Sequence, residues 1–294
     1  MSSKVVVFGG TGFIGSYLVE ELLKRNYDVI AADIHPPKFF DEKYFEFCDI
    51  RDFDKVNELV KGKDFVYNLA GFAHLDDAVK NPIKTFELNV MGNLNILEAS
   101  RENNIKRFIY SSSAYAMSEK GSFYGISKLT SEKLIEEYYK KYGLQFTILR
   151  YGSVYSERKF YNNYIYNLIE EIIKNKKIIH KGDGEEIREY IHAQDVAKLS
   201  VDVIESEKFV NEHLILTGME RIKRKELFEM IKEIIGEDIE IKLEKSCQSN
   251  HYKFTPYSFH PMPSKKLIPN PYIDMGQGIV ECIKSIVFNK DKDK

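Results

Sequence analysis

The first 150 residues alternate short apolar runs with stretches in which apolar residues recur every three or four positions. The runs Lys4–Phe8, Asp28–Asp33, Tyr44–Phe47, Asp64–Leu69, Arg107–Ser111 and Gln145–Arg150 read as strands. Helical patterns fill the intervals at Gly12–Arg25, Asp52–Val60, Pro82–Asn103 and Ser122–Tyr142. Asn81-Pro82 opens the third of these with a cap residue and a proline at the first helical position. Strands that are apolar throughout, instead of alternating, are buried on both faces, and the helices between them supply the cover. The pattern predicts an α/β fold: a doubly wound parallel sheet of the Rossmann type.

Beyond Tyr155 the alternation becomes irregular. Helices are predicted over 160–175, 195–206, 223–235 and 276–288, with a polar turn at Lys181-Gly182-Asp183-Gly184. The stretch Ser246–Pro271 holds five of the eight prolines and reads as loop, with Tyr252, Phe254, Tyr257 and Phe259 available to pack it. The predicted division is a dinucleotide-binding domain over 1–155, with a return segment near 187–205, and a smaller, intertwined, loop-rich substrate lobe over 156–294.

Composition narrows the function classes. Forty-three Lys+Arg against 45 Asp+Glu leave a net charge of −2, with none of the basic excess that nucleic acid demands. Cys48, Cys247 and Cys282 are scattered and suit a reducing compartment. No apolar run approaches the ~18 residues of a membrane span, and the N-terminus has no signal-peptide pattern. A cytoplasmic enzyme without a membrane partner is expected. No metal is expected either: His74 with Asp76 and Asp77 reads as a helix entry, and His251 and His260 lie too far apart for a zinc motif.

The first strand runs into Gly9-Gly10-Thr11-Gly12-Phe13-Ile14-Gly15 and then a helix. Glycines allow a tight turn and bring backbone amides against a pyrophosphate, and the helix N-terminus adds positive potential. Asp33 ends the second strand at the offset of a ribose-binding acid. A 2′-phosphate there would meet charge repulsion, so NAD is favoured over NADP.

Tyr124 and Lys128 stand four residues apart, neighbours on one helix face. Spacing alone means nothing in a chain with 19 Tyr, since a second pair, Tyr155/Lys159, has it too. Placement separates them: only Tyr124 follows a strand ending in Ser111-Ser112-Ser113, and ligands of doubly wound sheets sit beyond the carboxyl ends of strands. Tyr155 and Lys159 read as surface residues. A tyrosine of pKa ≈ 10 acts as a base near neutrality only if lowered by roughly 3 units, or ~4 kcal/mol. A nearby ammonium and an oxidised nicotinamide push that way, and a serine hydroxyl steadies the developing alkoxide.

Together these features resemble the extended short-chain dehydrogenases, and more narrowly their NAD-dependent epimerase/dehydratase group acting on nucleotide sugars. The likeness also rests on Asp49-Ile50, Asn68-Leu69-Ala70-Gly71, Asn89-Val90, Leu149–Tyr155, Lys181–Gly184 and Ile187–His192 with Asp195. It implies that Gly9, Gly12 and Gly15, with Phe13 and Ile14 in the same turn, contact the pyrophosphate. Asp33 would hold the adenosine ribose, Asp49 and Ile50 the adenine, and Ala70 would line the cleft. Lys128 would hold the nicotinamide ribose, Tyr124 would be the base, and Ser113 its hydroxyl partner. Arg188 matches an arginine that contacts the substrate diphosphate; the plainer reading is a surface salt bridge to Glu185 or Glu186. Ser153, where many relatives have Asn, joins the substrate side. No arginine follows Arg224, although a second diphosphate-binding arginine is usual there, and Lys253 is the replacement expected as a point charge.

The resemblance implies an epimerase, at C4, passing through a transient keto sugar and working as a homodimer through Pro82–Asn103 and Ser122–Tyr142. The alternatives are a keto reductase or dehydrogenase on the same site, or a non-catalytic dinucleotide sensor. Ala114 and Tyr115 stand where dehydratases and decarboxylases place acids. The interval from Ser113 to Tyr124 is also shorter than most extended members have.

Overall fold

The computed structural model describes residues 2–236, 238–244, 252–254 and 265–292. Tyr257, Phe259, Cys247, His251 and His260 lie outside these residues. In chain order the first half comprises β1 (Lys4–Phe8), α1 (Phe13–Lys24), β2 (Asp28–Asp33), β3 (Phe45–Phe47), α2 (Phe53–Val60) and β4 (Phe65–Asn68). There follow α3 (Leu75–Lys80), α4 (Pro82–Phe86), α5 (Asn93–Glu102), β5 (Arg107–Ser113), α6 (Ser122–Tyr142) and β6 (Phe146–Tyr151). The second half begins with β7 (Ser153–Tyr155), α7 (Tyr164–Asn175), β8 (Lys177–Lys181), β9 (Ile187–His192) and α8 (Ala193–Asp202). It ends with β10 (Glu212–Leu216), β11 (Arg221–Lys223), α9 (Arg224–Ile235), β12 (Glu240–Glu244), β13 (Lys265–Leu267) and α10 (Met275–Lys292).

Eight strands form one parallel sheet in the order β13-β10-β6-β5-β4-β1-β2-β3. One face is covered by α1 and α8 through Leu18, Val19, Leu22, Val196 and Leu199. The other is covered by α2, α5 and α6 through Val56, Leu59, Ile96, Leu97 and Ile135. Burial on both faces is why these strands carry continuous apolar runs. The chain reverses direction across the sheet beside β1, between β2 and β4, which opens a crevice at the strands' carboxyl ends.

A second core joins Ile165, Ile169 and Ile172 of α7 to Leu227, Phe228 and Ile231 of α9 and to Ile279, Cys282 and Ile286 of α10. The two regions interleave beyond the expected 187–205 return. Within that segment α8 packs on α1, whereas β9 belongs to a small sheet with β7 and β11. Two later strands, β10 and β13, extend the large sheet. Their short runs, His213–Leu216 among them, supply the apolar edge that β6 needs on its far side.

The predicted Pro82–Asn103 helix is interrupted. A wide π turn over Glu87–Gly92 separates α4 from α5, and a further short helix, α3, precedes them. The widened turn aims Asn89 at the site, where such turns gather in other proteins. Tyr155 corrects the sequence reading. It is fully buried, donating 3.3 Å to the Asp274 carbonyl, and sits against Gly278 so closely that a Cβ there would meet its ring at 2.4 Å. Lys159 is exposed and pairs with Glu170 at 2.6 Å.

Candidate active site

A cleft of about 650 Å³ lies at the carboxyl ends of β1, β2, β4 and β5. At its floor the glycine turn leaves β1. Gly9 adopts φ +77°, and a Cβ on it would fall 2.5 Å from the Ala70 amide. A Cβ on Gly15 would fall 2.0 Å from the Gly9 carbonyl, so both glycines are required by the protein's own packing. Gly12 differs, with one neighbour at 3.2 Å; its bare Cα keeps the cleft open. Gly12 is also the cap of α1, which has no side-chain cap and no acid in its first turn. The leading amides of α1 are thus left for an anion.

Asp33 is fixed by backbone donors: the amides of Ile34 and His35 reach one oxygen at 2.8 and 3.4 Å, and the Thr11 amide reaches the other at 3.2 Å. A carboxylate has about four accepting sites, which leaves roughly one for a ribose hydroxyl. Asp49 is gripped by the Arg51 guanidinium, which holds its carboxyl below the ordinary range. The Ile50 carbonyl accepts from Asn95 at 2.9 Å. Phe13, Ile14, Asp49, Ile50 and Ala70 all line the cleft with Asp33.

Ser113, Tyr124 and Lys128 meet in the same cleft. β5 and β6 pair two residues further than predicted, to Ser113 opposite Tyr151, which carries the serine into the site. Gly121, at φ +98°, caps α6 three residues before Tyr124. Burial raises the Tyr124 phenol, and the neighbouring Ser113 hydroxyl works against that rise. Lys128 donates 2.7 Å to the Ser111 carbonyl, with its nitrogen 5.9 Å from the Tyr124 ring centre. Burial lowers this ammonium to about 8, with Glu132 pulling the other way. Glu132 is itself locked to Arg150 by bonds of 2.9 and 2.7 Å in a fully buried pair that ties α6 to β6.

Several contributors are not legible as motifs. Asn89 receives the Phe72 amide at 2.6 Å and donates to Ser127 at 2.9 Å, so it joins the loop after β4 to α6. Residues 158–162 join elements on either side of the cleft. Arg158 lies 3.8 Å over Tyr17 of α1, Phe160 packs on Phe13, and the Tyr161 hydroxyl donates 3.1 Å to Asp77 of α3. Asn162, between them, lines the cleft. The signal was the aromatic cluster after the last predicted strand.

The substrate-side residues divide. Arg188 is buried, with its guanidinium 4.1 Å over Tyr252. The surface salt bridge is excluded because Glu185 is held by Lys223 and Lys225, and Glu186 by His180. Burial raises the Tyr252 phenol, and the neighbouring Ser153 hydroxyl acts against that rise. Lys253 is exposed and pairs with Asp183 at 2.8 Å, an acid that the turn at 182–184 presents to it; Lys253, Arg188 and Ser153 are all absent from the residues that line the cleft. His74 caps α3, accepting the Asp77 amide at 3.4 Å. Glu157, His192 and Glu281 also converge, but His192 Nδ1 accepts the Gln194 amide, so Nε2 carries the hydrogen that Glu157 receives at 3.1 Å.

Residues 5–216 match the NAD dependent epimerase/dehydratase family. The chain belongs to that family. It is an NAD-dependent enzyme, and the uncapped glycine turn and Asp33 fit that cofactor. The chain is 32% identical to a putative UDP-glucose 4-epimerase of Methanocaldococcus jannaschii, over 95% of this chain and 97% of that one. It is 29% identical to an uncharacterized UDP-glucose epimerase of Bacillus subtilis, over 79% and 82%. A mutant UDP-glucuronic acid 4-epimerase from Bacillus cereus, solved with UDP-4-deoxy-4-fluoro-glucuronic acid and NAD, superposes with TM-score 0.83 at 25% identity, over 97% and 99% of the chains. No helix among the described residues is long and apolar enough to cross a membrane.

Proposed function

We propose that the enzyme interconverts C4 epimers of a UDP-linked sugar and keeps its NAD through the cycle. The observation that carries this reading is the meeting of Ser113, Tyr124 and Lys128 in the cleft that holds the glycine turn. NAD, when bound, supplies a hydride acceptor and a positive ring charge that favours the Tyr124 phenolate. Tyr124 takes the proton of the sugar's C4 hydroxyl as that carbon becomes a ketone, and returns it when the ketone is reduced from its other face. Ser113 donates to the same oxygen and steadies its charge. Lys128, anchored on Ser111, offsets the burial that opposes ionisation of Tyr124.

The names of the relatives support the substrate class. The segment 158–162 favours an epimerase over a reductase, since it ties both walls of the cleft and hinders exchange of cofactor at each turnover. Ala114 and Tyr115 disfavour dehydration and decarboxylation: neither is an acid, and Tyr115 packs on Tyr124 and Tyr252 at 6.2 and 4.8 Å. Exposed Ile83, Met91, Phe123 and Ile126 on the helices of 82–142 support a homodimer.

The test incubates purified protein with a panel of UDP-hexoses and UDP-uronic acids and reads the products by NMR. The expected result is the C4 epimer with no net NADH and with NAD retained through gel filtration. A 4-keto-6-deoxy product, or stoichiometric NADH release, would sink the reading.

A further inference from the structure

The end of β5 and one face of α6 are joined residue for residue. Tyr124, Lys128 and Glu132 are spaced by four, so they form one stripe along the helix. Three consecutive serines stand against them. Ser113 neighbours Tyr124, the Ser111 carbonyl accepts from Lys128 at 2.7 Å, and the Ser112 hydroxyl donates to Glu132. The first two contacts serve the reacting groups; the third has no partner in the chemistry derived above. Ser112 pairs across the sheet with Arg150 of β6, so the two side chains rise on one face. Together they clamp the Glu132 carboxylate. One oxygen takes the Ser112 hydroxyl and Arg150 Nε at 2.9 Å, and the other takes Arg150 Nη2 at 2.7 Å. Glu132 and Arg150 are both wholly buried.

Stability does not call for this pair. Apolar residues of similar volume often hold such a place as well or better, because the cost of burying two charges offsets their attraction. The pair does have a direction, however. Its carboxylate belongs to the helix that carries Lys128, one turn on, and its guanidinium reaches away to β10. There Arg150 Nη2 meets His213 Nδ1 at 3.0 Å, and His213 Nε2 faces Glu136 of α6 at 3.2 Å. Burial lowers His213, so it serves as a neutral acceptor, and exposed Lys133 meets Glu136 at 2.9 Å. Lys128 makes no ion pair among the described residues; its other neighbours are the rings of Tyr110 and Tyr124, with centres at 4.9 and 5.9 Å. Of the charges around it, Glu132 is the one that favours the ammonium against burial.

We infer that Glu132 is a positioning residue of the active site: through Ser112 it fixes the serine run against α6, and its charge keeps the neighbouring Lys128 an ammonium. The inference rests on the reading of Ser113, Tyr124 and Lys128 as the reacting groups, and adds a buried acid on which they depend. A neutral Lys128 no longer favours the phenolate of Tyr124, so turnover should fall above the pH at which Lys128 loses its proton. Removing Glu132 should draw that pH down, since the carboxylate stabilises only the charged form of the lysine.

The experiment titrates NAD-loaded protein carrying isotope-labelled lysine by NMR, in wild type and Glu132→Gln, with Lys128→Met to identify the signal. Glutamine leaves Arg150 buried without its partner, so Glu132→Gln combined with Arg150→Met, neutral at both places, guards against misfolding, with NAD content as the check. Lys128 is expected to titrate about one pH unit lower in either variant, a tenfold loss of proton affinity. Ser112→Ala keeps the buried pair and loosens the serines. Its kcat is expected to fall about ten- to a hundredfold, the effect of a small misplacement of reacting groups, with KM and the Lys128 titration unmoved. An unmoved Lys128 in a folded Glu132 variant, or an unmoved kcat in Ser112→Ala, overturns the inference. The lysine titration needs no sugar, so it decides the role of Glu132 even where wild type turns over no UDP-sugar and the epimerase reading falls.

Discussion

The cofactor side and the substrate side of this enzyme hold charge by opposite means. Around the glycine turn, backbone does the work: three amides fix Asp33, the Ser111 carbonyl fixes Lys128, and the α1 amides stand free. Across Tyr115, side chains do it: Arg188 and Arg224 rest on tyrosine rings contributed by distant segments. Backbone geometry follows the sheet and tolerates few alternatives, so one architecture serves many substrates. A wall of aromatic and cationic side chains is remade by a few substitutions. On the proposed function, chemistry is set on the first side and selectivity on the second.

The sharpest way to break this division is Tyr124→Phe. We expect kcat to fall about 10²–10⁴-fold, the usual worth of a general acid–base, with NAD affinity unchanged. Tyr155→Phe, losing one bond to the Asp274 carbonyl, should leave kcat nearly intact; steady-state rates and NAD titrations on both variants decide it. Next, Arg188→Ala should raise KM about ten- to a hundredfold while NAD binds as before. An equal loss of NAD affinity would erase the distinction between the two sides. Calorimetry should then show NAD binding at least about tenfold tighter than NADP, and Asp33→Asn narrowing the gap.

The smallest effect concerns pH. Lys128 is lowered to about 8 by burial, against 10.5 for a free lysine, so the folded state binds fewer protons between those values. Its burial penalty, about 3 kcal/mol, is present in full below pH 8 and is relieved as pH rises toward 10.5. Lys128→Met should therefore raise the unfolding midpoint at pH 7, with the gain shrinking at pH 9.5. A constant gain across that range would place the ammonium in a wetter setting than β5 and α6 provide.

The same division explains what was legible in the sequence. Gly9–Gly15, Asp33 and the β5–α6 junction lie on a strand–turn–helix grammar whose spacings are read directly from the chain. The bounds of α6 were read without error, since Gly121 and Gly143, both at positive φ, punctuate it. Asn89 was visible only as part of a resemblance, because a π turn, not a regular helix, aims it. Tyr155 was misplaced because its burial depends on Gly278, 123 residues away. Lys253 reads in the sequence as a free point charge, but partnership is a property of three dimensions, and the turn at 182–184 sets Asp183 against it.

Strand β6 is buried along its whole length, and its far edge pairs with β10 from Glu212 opposite Thr147 to Leu216 opposite Tyr151. On the ribosome that partner emerges about 60 residues later, a delay of roughly 3–12 s at 5–20 residues per second. For that interval the nascent chain carries an apolar strand with one side unpaired, the configuration most open to pairing with a stranger. A gene cut at Tyr155 would make the interval permanent. The enzyme is accordingly one unit of biosynthesis, its large sheet completed only when Lys265–Leu267, the last sheet strand among the described residues, has left the tunnel.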